Sequence, residues 1–394
     1  MTENRWFILA VLFLARTAMA CQFQTVGSLG PVLVETFDID YARLGTLIGL
    51  YMLPGVVMAL PGGLLGQRFG AKRVVLAGLA LMTAGGALTG VSTTFPMLGA
   101  GRLMSGVGAV LINVMLTKMV ADWFKGAEIV TALSIFIASW PLGLGLGLVG
   151  YAPLAAAYGW SAVMHVAAAL SLFCLVSIAW IHRDPPGHHV SGPAKFPLNL
   201  NGREWRLVSL AGAIWGTYNV GYISLVSFAP EFFTTRGYSL AQASSIVSLV
   251  GWLLIPSVPV SGYLAERWRR PQLFMMGGFT VVAAASAMLP FVDAPAALFA
   301  VIALVIGLPT GVIMALPTQV LRTESLASGM GVYFAWYYAA MALLPGVAGA
   351  ARDLTAAPAA PLLFAAGMMV VAAACLAAFR AASRPLAGTQ KGRL

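Results

Sequence analysis

A single arginine within an apolar segment is the residue of this sequence best suited to binding chemistry. Arg16 lies ten residues into an apolar run that begins near Trp6, and ten residues of α-helix rise about 15 Å. If this run crosses a bilayer, the guanidinium lies near the middle of a hydrocarbon core about 30 Å thick. A charge at that depth is costly unless it faces a wet cavity or a partner.

The acidic residues offer Arg16 no counter-charge. All 13 of them fall in loops or at the ends of apolar runs. An anionic substrate would supply the missing charge, and the planar fork of a guanidinium matches a carboxylate. The alternative is a structural arginine capped by backbone carbonyls. Glu231, at the outer end of a later run, is the nearest candidate for a proton-carrying group, with an interfacial charge as its alternative.

A second group of residues combines aromatic rings with an amide. Trp215, Tyr218 and Tyr222 are spaced i, i+3 and i+7, so a helix places them on one face, with Asn219 beside them. Such a face is costly against lipid, which favours a cavity lining over lipid-interface anchoring or packing. Further candidates for substrate binding, each of which could instead contact only a neighbouring helix, are Gln22, Asn113, Trp140, Trp336 and Tyr337.

The composition places these residues in a membrane protein. The chain has 394 residues, of which 60% are hydrophobic and 9% charged, and its mean hydropathy is +0.87. A soluble domain carries about a quarter charged residues. With about 20 apolar residues needed for each crossing, the sequence predicts twelve spans, near residues 6–34, 42–66, 72–93, 96–121, 127–154, 159–181, 206–232, 240–265, 271–292, 295–321, 324–351 and 358–380.

The basic residues set the expected orientation. With both termini in the cytoplasm, only Arg43, Arg236 and Arg352 fall outside. This bias follows the positive-inside rule and predicts a multi-pass protein of the inner membrane. It also explains the net charge of +10 without nucleic acid as a partner.

The chain divides into two related halves. The longest hydrophilic stretch, residues 183–205, lies at the midpoint and is expected to be a cytoplasmic linker between bundles 1–182 and 206–394. A shift of 199 positions aligns Gly63 with Gly262 and Arg68 with Arg267, and it pairs Arg16 with Trp215. The expected fold is all-α, with two six-helix bundles related by a parallel pseudo-two-fold repeat.

In its loop motifs the chain resembles the major facilitator superfamily, and the resemblance extends over essentially its whole length. The segment from Gly63 to Lys72, which contains Arg68, is similar to the family signature between the second and third helices. A degenerate copy that contains Glu266 and Arg267 occupies the matching place in the second half. Arg102, which follows Gly101, resembles the arginine of the family's fourth-helix motif. The resemblance implies gating or coupling roles for Arg68, Glu266 and Arg267. Arg102 could hold an outer gate or assist coupling, and a structural role through backbone carbonyls is its alternative. Glu231 is the coupling candidate named above.

Two departures from the family pattern bear on function. Gln67 stands where the signature usually has Asp, so a charge-based latch there is in doubt. The fifth span has Pro141 and several glycines but lacks the adjacent Gly-Pro of drug antiporters. The first span, with Arg16 and the run Val26-Gly27-Ser28-Leu29-Gly30-Pro31, resembles the cyanate/nitroimidazole-permease branch, and organic-anion transporters also carry an arginine in this helix.

These observations predict a secondary transporter that moves a small organic anion by alternating access, either with protons or in exchange for a counter-anion. Efflux of apolar or weakly charged compounds through an aromatic pocket is the alternative. The histidines and the three cysteines form no metal-binding or catalytic pattern, so we expect no enzyme activity, cofactor or metal. The expected partners are the substrate and the bilayer, and the expected functional unit is a monomer.

Overall fold

The computed structural model describes residues 5–58, 62–124, 128–181, 200–322 and 324–383, apart from a few side chains that include Gln67 and Glu266. The described residues are almost entirely helical. Their α-helices are, in chain order, α1 (Arg5–Ser28), α2 (Gly30–Phe37), α3 (Tyr41–Leu50), α4 (Pro54–Met58), α5 (Gly62–Phe69), α6 (Ala71–Gly90), α7 (Phe95–Trp123), α8 (Glu128–Tyr158), α9 (Trp160–Ile181), α10 (Gly202–Thr235), α11 (Leu240–Arg267), α12 (Pro271–Met288), α13 (Pro295–Val305), α14 (Thr310–Met314), α15 (Leu326–Thr355) and α16 (Ala360–Ser383).

Eleven segments of the described chain are long and apolar enough to cross a membrane. The remaining predicted span, residues 206–232 and seventh in chain order, corresponds to α10, which has 34 residues and so extends about 51 Å. Although α10 is long enough to cross, it falls short of the apolar character of the other eleven. It carries the aromatic and amide face predicted above, and those side chains lower its hydropathy.

Three of the predicted spans are interrupted helices, and a proline lies at each interruption. Pro31 follows the break between α1 and α2, Pro54 follows the break between α3 and α4, and Pro309 lies between α13 and α14. Proline lacks the N–H that would bond the carbonyl four residues earlier. A carbonyl oxygen near such a break therefore either accepts from a different backbone N–H group, as that of Val305 does from Leu308, or needs a side-chain donor.

Small residues let the helices of the first half approach closely. A Cβ on Gly143 of α8 would lie 2.5 Å from the Thr17 carbonyl oxygen of α1, and one on Gly147 would lie 3.2 Å from Gln24. The glycine run of the fifth span therefore packs α8 against α1, as expected of small residues at membrane helix contacts.

In each half an ion pair lies between the start of the first span and the region where the fifth begins. Arg5 of α1 and Glu128 of α8 lie 2.7 Å apart in the first half, and Glu204 of α10 lies 3.0 Å from Arg322, in the loop before α15, in the second. The charges are reversed, because the first span carries the base in the first half and the acid in the second. Bonds from Arg322, Ser325 and the Asn201 backbone hold the pKa of Glu204 well below its usual range. Most of the predicted linker, residues 183–199, lies outside the described residues, and α10 begins at Gly202 rather than 206.

The two halves of the chain meet tightly at one end of the molecule. We call the side where α1 begins and α16 ends the terminal side, and the opposite one the distal side. A Cβ on Gly45 or Gly49 of α3 would overlap the carbonyl oxygens of Pro345 or Ala342 on α15, and one on Gly349 would overlap that of Tyr41. Backbone thus packs directly on backbone across the halves. The structure is closed on its distal side.

Candidate functional site

Arg16 is held in place by the first half of the chain. Its Nε donates to Asn113 Oδ1 of α7 at 3.3 Å, and its Nη1 donates to the carbonyl oxygens of Phe136 and Ile137 on α8, both at 3.2 Å. Its guanidinium also lies over the Phe136 ring, 4.9 Å from the centroid. The structure therefore brings the predicted residues Arg16 and Asn113 into direct contact.

The carbonyl that Arg16 binds on α8 is freed by a proline. In an α-helix the Ile137 oxygen would accept from the N–H of residue 141, but residue 141 is proline and has none. The helix thus supplies an acceptor at membrane depth without breaking. Pro141 is visible in the sequence, but its pairing with Arg16 requires the packing of α8 on α1.

The partners of Arg16 are neutral. No carboxylate of the described residues forms an ion pair with it, so its positive charge is solvated by dipoles but not cancelled. Its Nη2 makes no hydrogen bond to a described residue. Nη2 is also not one of the fully buried polar atoms that lack a partner, so it is accessible. Nη2 therefore remains available to a ligand.

The second half of the chain faces Arg16 with aromatic residues. Tyr337 and Tyr338 of α15 lie close enough to interact with the charge of Arg16. Tyr337 is also part of a cluster around Trp215, whose ring centroid lies 5.7 Å from that of Tyr218, 6.5 Å from that of Tyr333 and 6.0 Å from that of Tyr337. We call these four residues the aromatic wall. The structure thus unites the predicted residues Trp215, Tyr218 and Tyr337, and Tyr333 and Tyr338 are additions that the sequence did not single out.

The wall is anchored to the break between α13 and α14. The Tyr218 hydroxyl bonds the Ile306 carbonyl oxygen at 2.6 Å and the Thr310 hydroxyl at 2.8 Å. Thr310 N–H bonds Gly307 rather than Ile306, so the broken helix leaves the Ile306 oxygen for Tyr218. The side chain of Asn219 bonds the Trp215 carbonyl of its own helix at 2.8 Å, and the buried Tyr222 hydroxyl has no partner among the described residues.

Two residues predicted for the site lie instead inside the first half. Gln22 donates to the Met82 carbonyl of α6 at 2.8 Å, on another side of α1 from Arg16. Arg102, only 1% exposed, donates to the carbonyls of Leu47, Gln22 and Phe23. Arg102 thus ties α7 to α1 and α3 through backbone carbonyls, the arrangement that its structural alternative describes, and a gating role for it stays a prediction.

Two predicted tryptophans also differ in placement. Trp140 is partly buried and packs on Phe23, with centroids 5.5 Å apart, next to the α8 turn that holds Arg16. Trp336 is 47% exposed and shares a face of α15 with the exposed Leu343 and Val347. The Cβ of Trp336 packs against Gly212 of α10, and its ring makes no contact with the rings of the aromatic wall, so a role for Trp336 in binding stays a prediction. Trp336 and Tyr337 are adjacent in the chain, and consecutive residues of a helix point in different directions.

The residues of the two signature loops lie on the terminal side. Arg68 is exposed, with its guanidinium 5.3 Å from the Phe69 ring centroid. Arg267 is exposed and donates to the Tyr263 hydroxyl at 3.2 Å. The side chain of Glu266 lies outside the described residues. A gating role for these three residues stays a prediction.

Glu231 belongs to a polar cluster on the distal side. Its side chain is 6% exposed and pairs with Arg352 of α15 at 2.8 Å, and Arg352 lies over the Tyr41 ring of the other half, 5.0 Å from its centroid. The adjacent Asp353 accepts from the backbone N–H groups of Tyr41 and Ala42 at 3.0 and 2.8 Å. Asp353 therefore caps α3 across the halves.

The sequence did not single out Asp353 or Tyr41, because neither carries a motif. The sequence carried only a weak signal, because Asp353 directly follows Arg352, one of the three arginines expected on the outer side. Its meaning depends on the helix terminus that it meets, which lies 312 positions away in the chain.

Helices of this length, interrupted at membrane depth and arranged in two halves that close at one end, define a secondary transporter fold. A family model of the Major Facilitator Superfamily matches residues 12–345. The chain belongs to this superfamily, as its loop motifs predicted. It is a multi-pass membrane protein of this superfamily, and the relatives it matches are transporters and not enzymes.

Curated relatives match about three fifths of the chain. The 3-(3-hydroxy-phenyl)propionate transporter of Escherichia coli (strain K12) is 26% identical over 250 residues, which cover 61% of this chain and 60% of that protein. The 2-nitroimidazole transporter of the same organism is 25% identical over 256 residues, 63% of each. The chain therefore spans about three fifths of the length of these relatives.

Solved structures share the fold at low identity. A bacterial homologue of the human lysosomal transporter Spinster, in an inward-facing and occupied conformation, has a TM-score of 0.80 at 16% identity and 98% coverage of both chains. A D-xylose-proton symporter has a TM-score of 0.76 at 14% identity, with coverage of 99% of this chain and all of that one. These likenesses support the fold alone.

Proposed function

We propose that the protein transports a small organic anion by alternating access, with Arg16 as the anion-binding residue. The observation that carries this proposal is the guanidinium itself, which is fixed by neutral partners and keeps Nη2 available between the halves. A carboxylate at Nη2 would cancel a charge that the described residues leave uncancelled. The closed distal side corresponds to one end state of such a cycle.

The names of relatives support an organic anion. Besides the hydroxyphenylpropionate transporter, a probable galactarate/D-glucarate transporter of Escherichia coli is 25% identical over 220 residues. Both names denote carboxylates. Other relatives are named for a nitroimidazole or for choline and ethanolamine, so the charge preference of this chain rests on Arg16.

A thermal-shift screen of the purified protein tests this function. The panel contains carboxylates of increasing size, each paired with its neutral amide. A ligand of the folded state raises apparent stability, so we expect some carboxylates, and none of their amides, to raise the melting temperature. Equal shifts from acids and amides would contradict an anion site.

We further propose that the protein exchanges anions and does not require a proton carried by Glu231. Glu231→Gln should leave exchange largely intact, because the amide oxygen can still accept from Arg352. The measurement is counterflow of a labelled anion into proteoliposomes, with the unmodified protein as reference. If this one change abolishes transport in a folded protein, proton symport through Glu231 replaces exchange.

Efflux of apolar or weakly charged compounds is the second candidate. The aromatic wall supports it, since its four packed rings would also hold an apolar compound. If efflux is the function, the neutral amides of the thermal-shift screen, and not the acids, would stabilise the protein, and Arg16 would have a structural role.

We also propose that the terminal side faces the cytoplasm of a cell with an inner membrane and that a monomer carries out transport. Reporter fusions at Gly192 and after Leu394 should then both report a cytoplasmic location. Enzymatic reporters that are active on only one side of the membrane provide the measurement. A periplasmic signal from either fusion would reverse the orientation or change the number of spans.

A further inference from the structure

The aromatic wall has two accessible rings backed by two buried ones. Tyr218 and Tyr333 are buried, whereas Trp215 and Tyr337 are partly exposed. The ring planes of the three tyrosines deviate from that of Trp215 by only 23°, 16° and 31°. Near-parallel offset rings are a favourable aromatic arrangement. The accessible pair can therefore extend this arrangement to one more ring.

The polar groups in and beside this wall divide into two sets. Thr217 donates to the Ala213 and Ile214 carbonyls, Asn219 donates to the Trp215 carbonyl, and Tyr218 bonds Ile306 and Thr310. The buried hydroxyls of Tyr333 and Tyr222 have no partner among the described residues. The accessible surface of the wall is therefore made by the side chains of Trp215 and Tyr337.

The wall continues along α15 toward the side of the cavity that Arg16 occupies. Tyr337 packs on Trp215 and on Tyr338, whose ring centroid lies 5.0 Å from its own, and both tyrosines lie near Arg16. Arg16 and Trp215 occupy equivalent positions of the two halves under the 199-residue shift. A ligand between the halves can therefore contact the guanidinium with one end and the rings with the other.

From these contacts we infer that the substrate is an aromatic carboxylate, whose carboxylate binds Arg16 Nη2 and whose ring packs on Trp215 and Tyr337. This inference rests on the proposed function, because it assigns the substrate class of the same site. A saturated acid can pair with the guanidinium but has no ring to stack on the wall, and a neutral arene can stack but has no charge to pair with Arg16.

Calorimetric titration of the purified full-length protein tests this assignment. The probes are benzoate and 3-phenylpropionate, their saturated counterparts cyclohexanecarboxylate and 3-cyclohexylpropionate, and the neutral benzamide. An aromatic contact typically changes affinity by about two- to tenfold. We expect at least one aromatic acid to bind about three- to tenfold more tightly than its saturated counterpart, and benzamide to bind at least tenfold more weakly than benzoate.

Variants of Trp215 assign this preference to the wall. Trp215→Leu keeps an apolar side chain but removes the aromatic face, so the preference should fall below about twofold. Trp215→Tyr keeps an aromatic ring and should retain part of the preference for aromatic acids. This variant distinguishes an effect of losing the ring from an effect of misfolding. Trp180→Leu is the matched control, because Trp180 is 83% exposed on α9, and it should leave the preference unchanged.

The outcomes separate this inference from the proposed function. If saturated and aromatic acids bind equally, or if Trp215→Leu keeps the preference, the aromatic assignment is wrong. In that event, loss of both acids in Arg16→Ala would still support the anion site. If benzamide binds as tightly as benzoate and Arg16→Ala alters neither, the anion site itself fails. If no probe binds, the aromatic assignment is overturned.

Discussion

Arg16→Ala should lower the affinity for the transported anion at least tenfold. The variant removes the cation that would pair with a carboxylate between the halves, and loss of a close charge pair typically costs about 2–5 kcal/mol, which exceeds the 1.4 kcal/mol of a tenfold change. Arg16→Lys keeps the charge but loses the planar fork, so it should weaken binding to a smaller extent. The measurement is calorimetric titration with an acid identified in the screen.

The structure also predicts how these variants affect the empty protein. Arg16→Ala relieves the cost of a desolvated charge but leaves the Ile137 oxygen, freed by Pro141, without its donor. These effects oppose each other, so the melting temperature without ligand should change little. Arg236→Ala, which removes an exposed arginine elsewhere, is the control for net charge and should bind normally. A folded Arg16→Ala that binds its anion within twofold of the parent would make Arg16 structural and move aromatic-pocket efflux to first place.

Gly349→Leu should block transport by preventing closure of the distal side. A side chain at this position would overlap the backbone of Tyr41, and a helix backbone cannot move aside as a flexible side chain can. Overpacking costs typically about 1–3 kcal/mol, which corresponds to a change of roughly 5- to 150-fold in the population of the closed state. Because alternating access requires closure on each side in turn, we expect the transport rate to fall at least tenfold.

Electron paramagnetic resonance distances can detect the expected opening. Spin labels at Arg43 and Thr355, exposed residues on the distal ends of α3 and α15, should move apart in Gly349→Leu, in a background without native cysteines. Gly150→Leu is the matched control, because a Cβ there would contact nothing within 4 Å. An unchanged label distance together with normal transport would show that this seam is not a gate.

At three places a polar side chain bonds a carbonyl oxygen that lies next to a helix break or four residues before a proline inside a helix. Arg16 binds the oxygen that Pro141 frees on α8, Tyr218 binds the one left at the break after α13, and Arg102 binds Leu47 just before the break after α3. In a membrane, irregular backbone is tolerated only where such partners exist. The polar groups of the site and the breaks in its helices therefore stabilise each other.

The sequence determined the membrane class, the positions of the spans and the superfamily. Long apolar runs form helices in lipid because a helix satisfies its backbone hydrogen bonds internally. The predicted spans therefore agree with the helices to within a few residues at most ends. Depth is proportional to position along a helix, and this made Arg16 identifiable as a charge in the membrane interior. The loop signatures around Arg68 and Arg267 gave the superfamily because turns need particular residues at fixed places.

Only the tertiary structure decided which way each side chain points. Helices that are apolar on nearly every side carry no strong face signal, so Tyr337 and Trp336 looked equivalent in sequence, yet one joins the aromatic wall and the other lies on the exposed face of α15. For the same reason Gln22 and Arg102 could not be assigned to the interior of the first half. The capping of α3 by Asp353 joins residues more than 300 positions apart, and a contact of that kind follows from packing of the two halves and not from any local pattern.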